Sequence, residues 1–336
     1  MKGMQIVLGE PDGRSGAALF VDGRLEDILL DGCDDRPGVG AVFRAICDRP
    51  VKGQGGMFVR LGNGLTGWHR NAKGLAPGKA LLVQVTGHAE PGKAVPVTDR
   101  VLFKSRHCIV TPGAPGVNVA RSLRDDAERD RLLEIAHDVL PQDRAGTGAI
   151  LRSAAEGVDA EILAEDLGTT WELAAQVIGD PGSDAERLLD APDAHALAWR
   201  DWPQAEISRD WDPVLDHLDA LCRPEVNAGS ATFHIEPTRA LVAVDVNTPE
   251  GGAAGGFKAN LSLARELPRQ LRLRGLGGQI VLDLAPMPKK DRRGFEAALR
   301  SAFREDPIET SLIGWTPLGH YELTRRRERR PLEELL

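Results

Sequence analysis

Two aspartates stand near the C-terminal ends of two apolar runs, Leu241-Val242-Ala243-Val244-Asp245-Val246 and Gln279-Ile280-Val281-Leu282-Asp283-Leu284. A carboxylate in such a run is costly to bury unpaired, so it faces a cation, a donor network or solvent. Between the runs, residues 257–274 place Leu261, Ala264, Leu267 and Leu271 on one helical face. A strand–helix–strand unit makes the strands parallel, with a right-handed crossover. Both carboxylates then emerge at one sheet edge, where open α/β sheets carry their sites. With the amide oxygen of Asn247 they form a hard, all-oxygen set. Such a set suits Mg²⁺ or Mn²⁺, completed by water and phosphate oxygens. A bound ion of this kind polarises a phosphate, activates a water and stabilises a leaving oxygen. From spacing alone, aspartates that cap strand ends or helix N-termini are the plainer reading.

Basic residues crowd the same region. Arg265, Arg269, Arg272 and Arg274 lie on the helix, Lys289, Lys290, Arg292 and Arg293 follow the second strand, and Arg325, Arg326, Arg327, Arg329 and Arg330 come later. Beside a carboxylate-bound metal they would hold a polyanion; as solvated helix faces they would not. The Gly251–Gly256 stretch fits neither a P-loop nor a dinucleotide fingerprint.

The elements that must position these groups occupy a chain of 336 residues with a formal charge of −8. That length implies two or three domains with cores that need no staples. The charge is uneven: residues 229–336 hold 17 Lys and Arg against 14 Asp and Glu, leaving −11 on the first 228 residues. A basic-tail binder is excluded; a locally basic groove is not. No apolar run approaches the ~20 residues of a membrane helix, and the N-terminus has too short an apolar stretch for a signal peptide. A cytoplasmic location is expected. Cys33, Cys47, Cys108 and Cys222 are far apart, so neither a zinc site nor a disulfide framework is expected.

Residues 17–30 read as a hairpin around Asp22-Gly23. Short runs at 39–46, 56–61, 65–69, 80–85 and 94–97, broken by glycines, predict a small β-barrel. Strands are expected at 107–111 and 149–152. Helices are expected at 122–140 with Ser122 as N-cap, at 159–179, at 211–222 and at 291–304. Pro268 predicts a kink or break in the helix between the two aspartate strands.

Several segments carry a resemblance. Ala240-Leu241-Val242-Ala243-Val244-Asp245-Val246-Asn247-Thr248, Asn260-Leu261 with Ala264-Arg265-Glu266, and the run Arg269–Asp283 resemble the signature blocks of the ribonuclease E/G family. The resemblance implies a Mg²⁺-dependent endoribonuclease that cuts single-stranded RNA and leaves a 5′-phosphate. The positions matching Asp245 and Asp283 would hold the magnesium, with Mn²⁺ as a possible substitute, and Asn247 would support them. Gly55–Gly62 followed by Gly67-Trp68 is similar to part of the family's S1 barrel. Phe58 and Trp68 would stack on bases, with Lys93 as a basic RNA contact; Phe58 as a barrel core residue is the alternative. Gly148–Gly157 resembles the segment that senses a 5′-monophosphate, so Arg152 and Ser153 would bind the phosphate.

The implied fold is multidomain α+β and α/β. It comprises an RNase H-like subdomain (1–37 with 190–228), an S1-type OB barrel (38–102), a 5′-sensor region (103–189) and a DNase I-like catalytic domain (229–336). Three departures stand out. The family's zinc-sharing cysteine pair has no counterpart, so no zinc-linked dimer is expected, while a homo-oligomer through other surfaces stays open. Pro286 stands where the family has a second acidic residue, and Ser105 where the sensor has glycine. The expected partner is single-stranded RNA, without a membrane. Two alternatives remain: an RNA-binding regulator with reduced catalysis, and a phosphohydrolase acting on small nucleotides. The barrel argues against the second.

Overall fold

The computed structural model describes residues 3–71, 73–90, 92–229, 231–248 and 253–336. Asp22 and Gly23 take φ of 50° and 79°, the left-handed pair that a two-residue hairpin turn requires. Around this turn, β1 (Met4–Gly9), β2 (Gly16–Val21) and β3 (Arg24–Leu30) form an antiparallel meander. The chain divides into one compact unit of residues 36–204 and another of residues 1–35 with 205–336. The division at 204 falls inside the segment 190–228 that the sequence assigns to one subdomain.

In the 36–204 unit, the five expected short runs become β4 (Val42–Pro50), β5 (Met57–Gly62), β6 (Leu65–His69), β7 (Ala80–Val85) and β8 (Val95–Thr98). Their order is β4-β5-β6-β8-β7, and β7 pairs back to β4, so the sheet closes into a five-stranded barrel. Closure leaves no open edge among these strands. Alternation turns Ala45, Cys47, Met57, Val59, Leu61, Val83, Val85 and Val97 into the barrel core. This closed five-stranded form is consistent with an OB or S1-like domain.

Next come β9 (Phe103–Lys104), β10 (Cys108–Thr111), β11 (Gly116–Val119) and β12 (Gly148–Leu151), in the order β11-β12-β10-β9. The helices α1 (Asp126–Val139) and α2 (Ala160–Ile178) pack on this sheet through Leu132, Ala136, Leu163 and Leu167. The start of α1 is a correction. Asp125, not Ser122, is the cap, accepting from the amides of Ala127 at 3.0 Å and Glu128 at 3.4 Å. Leu123 is buried in a turn and keeps Ser122 out of the helix. A short strand, β13 (Glu186–Leu189), adds to β4, and α3 (Ala194–Asp201) follows, capped by Asp193.

In the other unit, β14 (Glu206–Ser208) joins β1 in parallel, followed by α4 (Asp212–Leu221). The rest forms a six-stranded sheet. Its strands are β15 (Glu225–Ala228), β16 (Ala231–Pro237), β17 (Val242–Asn247), β18 (Gly278–Asp283), β19 (Thr310–Trp315) and β20 (Tyr321–Arg325). The order is β15-β16-β17-β18-β20-β19, and among the described residues β17 and β18 are its one parallel pair. The crossover helix α5 (Ala253–Leu273) and α6 (Arg292–Glu305) cover one face. Phe233, Ile235, Val244, Leu263, Leu267, Leu271, Ile280, Leu282, Phe295 and Leu299 fill the space between. Burying a side chain of this size stabilises by ~1.5–3 kcal/mol.

The expected break at Pro268 is absent: α5 runs from Ala253 to Leu273. A proline removes one backbone hydrogen bond. The neighbours Leu263, Ala264, Leu267 and Leu271, all completely buried, hold the helix together across it. The helix also starts earlier than its leucine spacing indicates, so Gly255 and Gly256 lie in its first turn rather than in a loop. Gly251 and Gly252 lie outside the described residues.

Candidate active site

Strand alternation decides which face each aspartate uses. In β17, Val242, Val244 and Val246 are buried while Asp245 and Asn247 are exposed. In β18, Ile280 and Leu282 are buried while Gln279 and Asp283 are exposed. The parallel register sets Asp245 directly beside Asp283. The two carboxylates are therefore neighbours on the open sheet face, opposite the helices. Asn247 donates from Nδ2 to Asp245 Oδ2 at 2.8 Å. The amide nitrogen, rather than the oxygen emphasised by the sequence reading, thus faces the carboxylate and fixes its rotamer.

The polar row extends beyond the aspartates. Cross-strand register puts Glu225 opposite His234, and His234 opposite Asp245. On the other side, His320 Nδ1 lies 3.4 Å from Asp283 Oδ1. The contact makes no hydrogen bond. The row thus reads Glu225, His234, Asp245, Asp283, His320. Sequence reasoning missed both histidines, because each is isolated in the chain and only strand register brings it to the row.

The segment after Asp283 is held by Asn260, which is completely buried in α5. Its Nδ2 donates to the Ala285 carbonyl at 2.8 Å, and its Oδ1 accepts from the Ala285 amide at 3.1 Å. A Cβ on Gly256 would collide with the Pro286 carbonyl, so α5 approaches this segment at glycine distance. Among the described residues, Asp245 and Asp283 are the carboxylates that strand register sets side by side here. Among the described residues, no three His, Cys, Asp or Glu side chains form a ready-made metal cage. Two adjacent carboxylates are the kind of hard oxygen donors that Mg²⁺ takes from a protein, with waters and phosphate oxygens for the rest.

Most of the nearby arginines have structural partners instead of a polyanion. Arg269 donates to the Leu25 carbonyl and pairs with Glu266 at 2.5 Å. Arg272 and Arg325 converge on the buried Asp306, the latter at 2.8 Å. Arg274 donates to Gln270 and to the Arg223 carbonyl. Arg329 pairs with Asp27, and Arg330 with Asp34 at 3.0 Å. Burial lowers the pKa of Arg274 to about 10, its neighbour Arg269 adding to the effect. Arg292 stacks over Trp315, 4.0 Å from the ring centre. Arg265, Lys289, Lys290 and Arg293 remain exposed.

On the barrel, Phe58 and Trp68 form a cross-strand pair with ring centres 5.0 Å apart at 62°. Phe58 is 41% exposed, so it is a surface residue and not part of the core. Arg60 shares its outward face. Lys93 is also exposed but forms an ion pair with Glu90 at 2.5 Å.

Arg152 and Ser153 follow β12. Arg152 donates from Nη1 to the Ser105 carbonyl at 2.6 Å and from Nη2 to Asp201 at 2.9 Å. Ser153 is exposed in a short 3₁₀ turn. Nearby, Asp166 Oδ2 accepts from the Ser105 hydroxyl at 2.7 Å and lies 3.0 Å from His107 Nδ1. Serine and histidine both bind the acid rather than each other, so this is a structural lock and not a nucleophile relay. Of the cysteines, Cys47 and Cys108 are buried, while Cys33 and Cys222 are exposed.

A closed OB-like barrel in one unit, and a carboxylate pair at the ends of parallel strands in the other, define a mixed α+β protein of several parts. The chain belongs to the ribonuclease E/G family, whose family model matches residues 103–211 and 213–328. It is similar to ribonuclease G of Salmonella typhimurium, at 29% identity over 77% of this chain and 62% of that protein. It is also similar to ribonuclease E of a Nostoc species, at 26% identity over 98% of this chain and 57% of that protein. Ribonuclease E of Escherichia coli matches at 26% identity over 75% of this chain and 28% of its own length. The chain thus spans about three fifths of the first two relatives. Among the described residues, no helix is long and apolar enough to cross a membrane.

Proposed function

We propose that the chain is an endoribonuclease that cuts single-stranded RNA with Mg²⁺, or Mn²⁺ in its place, at the Asp245–Asp283 pair. The observation that carries this reading is the in-register placement of the two carboxylates on an exposed face, with Asn247 bonded to one of them. Family membership supports the same chemistry. Asp245 and Asp283 would hold the ion, and Asn247 keeps Asp245 in the rotamer that would bind it. When bound, the ion supplies Lewis acidity toward the scissile phosphate and acidifies a water. Asn260 keeps Asp283 in place through Ala285. Attack of water on phosphorus with departure of the 3′-oxygen leaves a 5′-phosphate and a 3′-hydroxyl. Residues 229–336 are then the DNase I-like catalytic part, and β1–β3 belong to an RNase H-like subdomain.

Phe58 and Trp68 provide the barrel's stacking surface, since a base offers a π-face whatever its identity. Lys93 adds a charge that must be shared with Glu90. The test is incubation with Mg²⁺ and an end-labelled, AU-rich single-stranded RNA. Internal cuts bearing 5′-phosphates support the reading. Tight binding without cuts supports an RNA-binding regulator instead.

A further inference from the structure

We propose that His320 is a metal-binding residue: its Nδ1 and Asp283 Oδ1 form a mixed nitrogen–oxygen seat that gives the candidate site a preference for Mn²⁺ over Mg²⁺. This rests on the reading of Asp245 and Asp283 as the pair that holds the ion. Strand register brings the histidine there. Leu282 pairs with Tyr321, so the next pair outward is Asp283 with His320. Tyr321, Leu323 and Arg325 turn to the buried side of β20, and alternation sends His320 to the open face that Asp283 shares. The backbone of His320 is fixed in the turn between β19 and β20. Its amide donates to Thr316 Oγ1 at 3.1 Å, and its carbonyl accepts from the Thr316 amide at 2.8 Å. Gly319, just before it, takes a φ of 97°, which a side chain would strain. The turn thus presents the ring to Asp283.

Nδ1 itself is buried and has no hydrogen-bond partner among the described residues. Such an atom costs free energy unless something pairs with it. Its neighbour is Asp283 Oδ1 at 3.4 Å. A hydrogen bond between imidazole and carboxylate would close that gap to about 2.8 Å. Two donors at right angles on one octahedral ion, each ~2.1 Å from it, stand about 3 Å apart. An ion between the two atoms therefore needs only a small shift of either side chain, and it satisfies the stranded nitrogen. The ring is 34% exposed and Asp283 66%, so an ion reaches them from solvent. Among the described residues no three His, Cys, Asp or Glu side chains converge, so Asp283 and His320 act as a pair. Asp245 stands beside them in register, and waters or phosphate oxygens complete the shell. The nitrogen decides which ion gains most. Mg²⁺ seeks oxygen donors, whereas imidazole favours a transition ion, and carboxylates suit Mn²⁺ as well as Mg²⁺. His234 lies opposite Asp245 but has its Nε2 3.9 Å from Glu225, so it is not part of the seat.

The experiment uses the full chain without an affinity tag, as wild type, His320→Ala, His320→Gln and Asp283→Asn. Calorimetric titration measures the affinities for Mn²⁺ and Mg²⁺ separately. Pulsed EPR of the bound Mn²⁺ reads whether a nitrogen is coordinated. A thermal melt verifies folding, and His320→Gln keeps a polar side chain of similar length should alanine disturb the turn. Wild type should bind Mn²⁺ at least about tenfold more tightly than Mg²⁺ and show a nitrogen coupling. His320→Ala and His320→Gln should lose the coupling and about tenfold in Mn²⁺ affinity, the scale of one contact at a metal site. Their Mg²⁺ affinity should change by less than about threefold. Asp283→Asn should lose the coupling too. Mn²⁺ bound by the wild type through Asp283 but without a nitrogen coupling overturns this proposal and leaves the aspartate pair standing. A coupling that survives in His320→Ala does the same, as does a ratio of the two affinities equal in wild type and folded variants. Wild-type metal affinity that Asp283→Asn leaves unchanged overturns the metal reading of the site and this proposal with it.

Discussion

Replacing Asn260 tests how the fold holds the candidate site. Its side chain makes two hydrogen bonds to the backbone of one residue, Ala285, at 2.8 and 3.1 Å, from a fully buried position. Asn260→Leu keeps roughly the same volume but leaves the Ala285 amide and carbonyl without partners. Each stranded buried group costs about 1–3 kcal/mol, so the expected loss for the two is about 2–6 kcal/mol. That is a large part of a stability of about 5–15 kcal/mol. Asn260→Asp keeps the acceptor for the Ala285 amide, loses the donor to the carbonyl and buries a charge, so it should be no better than leucine. Urea unfolding followed by circular dichroism reads the effect as a fall in midpoint at constant slope. RNA cleavage, measured well below the unfolding midpoint, should fall as well, because Ala285 follows Asp283 by two residues. A stability loss under about 0.5 kcal/mol for Asn260→Leu would refute the role given to this amide.

Other expectations follow from individual contacts. Phe58→Ala should weaken single-stranded RNA binding by about 1–3 kcal/mol, the worth of one stacked base, with an unchanged melting temperature because the ring is at the surface; filter binding and a thermal melt read the two. Asp306→Ala should destabilise by about 3–5 kcal/mol, since it removes the carboxylate that pairs the fully buried Arg325, while Arg272 keeps Asp27 and the Glu26 carbonyl; chemical unfolding measures it. Two hydrogen bonds from Arg131 pull the Glu128 carboxyl down to about 2, with the Gly157 amide adding to the effect. Because the folded value is depressed, the stabilisation is complete above about 4.5 and is lost as pH falls toward 2. Glu128→Gln should flatten that acid limb in a pH series of melts. RNA binding should weaken between low and moderate salt, since every phosphate contact made by an exposed cation such as Arg265, Lys289, Lys290 or Arg293 releases a counterion.

What the sequence made legible was mostly local. Asp22-Gly23 specified its hairpin, and the barrel runs were readable from period-two alternation between glycines. Asp245 and Asp283 were readable because two apolar runs flank one amphipathic helix, which forces a parallel pair. What stayed hidden depends on non-local register. His234 and His320 reach the aspartate row only through antiparallel neighbours on either side. The arginines of α5 looked available for a polyanion because their partners, the Leu25 carbonyl and Asp306, are distant in sequence. Asp201 gave no signal, since its approach to Arg152 spans 49 residues. The cap of α1 was misplaced because Ser122 and Asp125 both satisfy the residue rule, and only the burial of Leu123 separates them.

The aspartate pair is tested most directly by the cleavage rate of single-stranded RNA at saturating Mg²⁺ for wild type, Asp245→Asn and Asp283→Asn. Each substitution keeps the side-chain size and removes one negative charge from an exposed strand position, so folding should be unchanged. Both variants should bind RNA like the wild type and cut it at least about a hundredfold more slowly, as expected when an ion that supplies several kcal/mol of transition-state stabilisation is lost. Cleavage at near wild-type rate by either variant contradicts the assignment of the metal to Asp245 and Asp283.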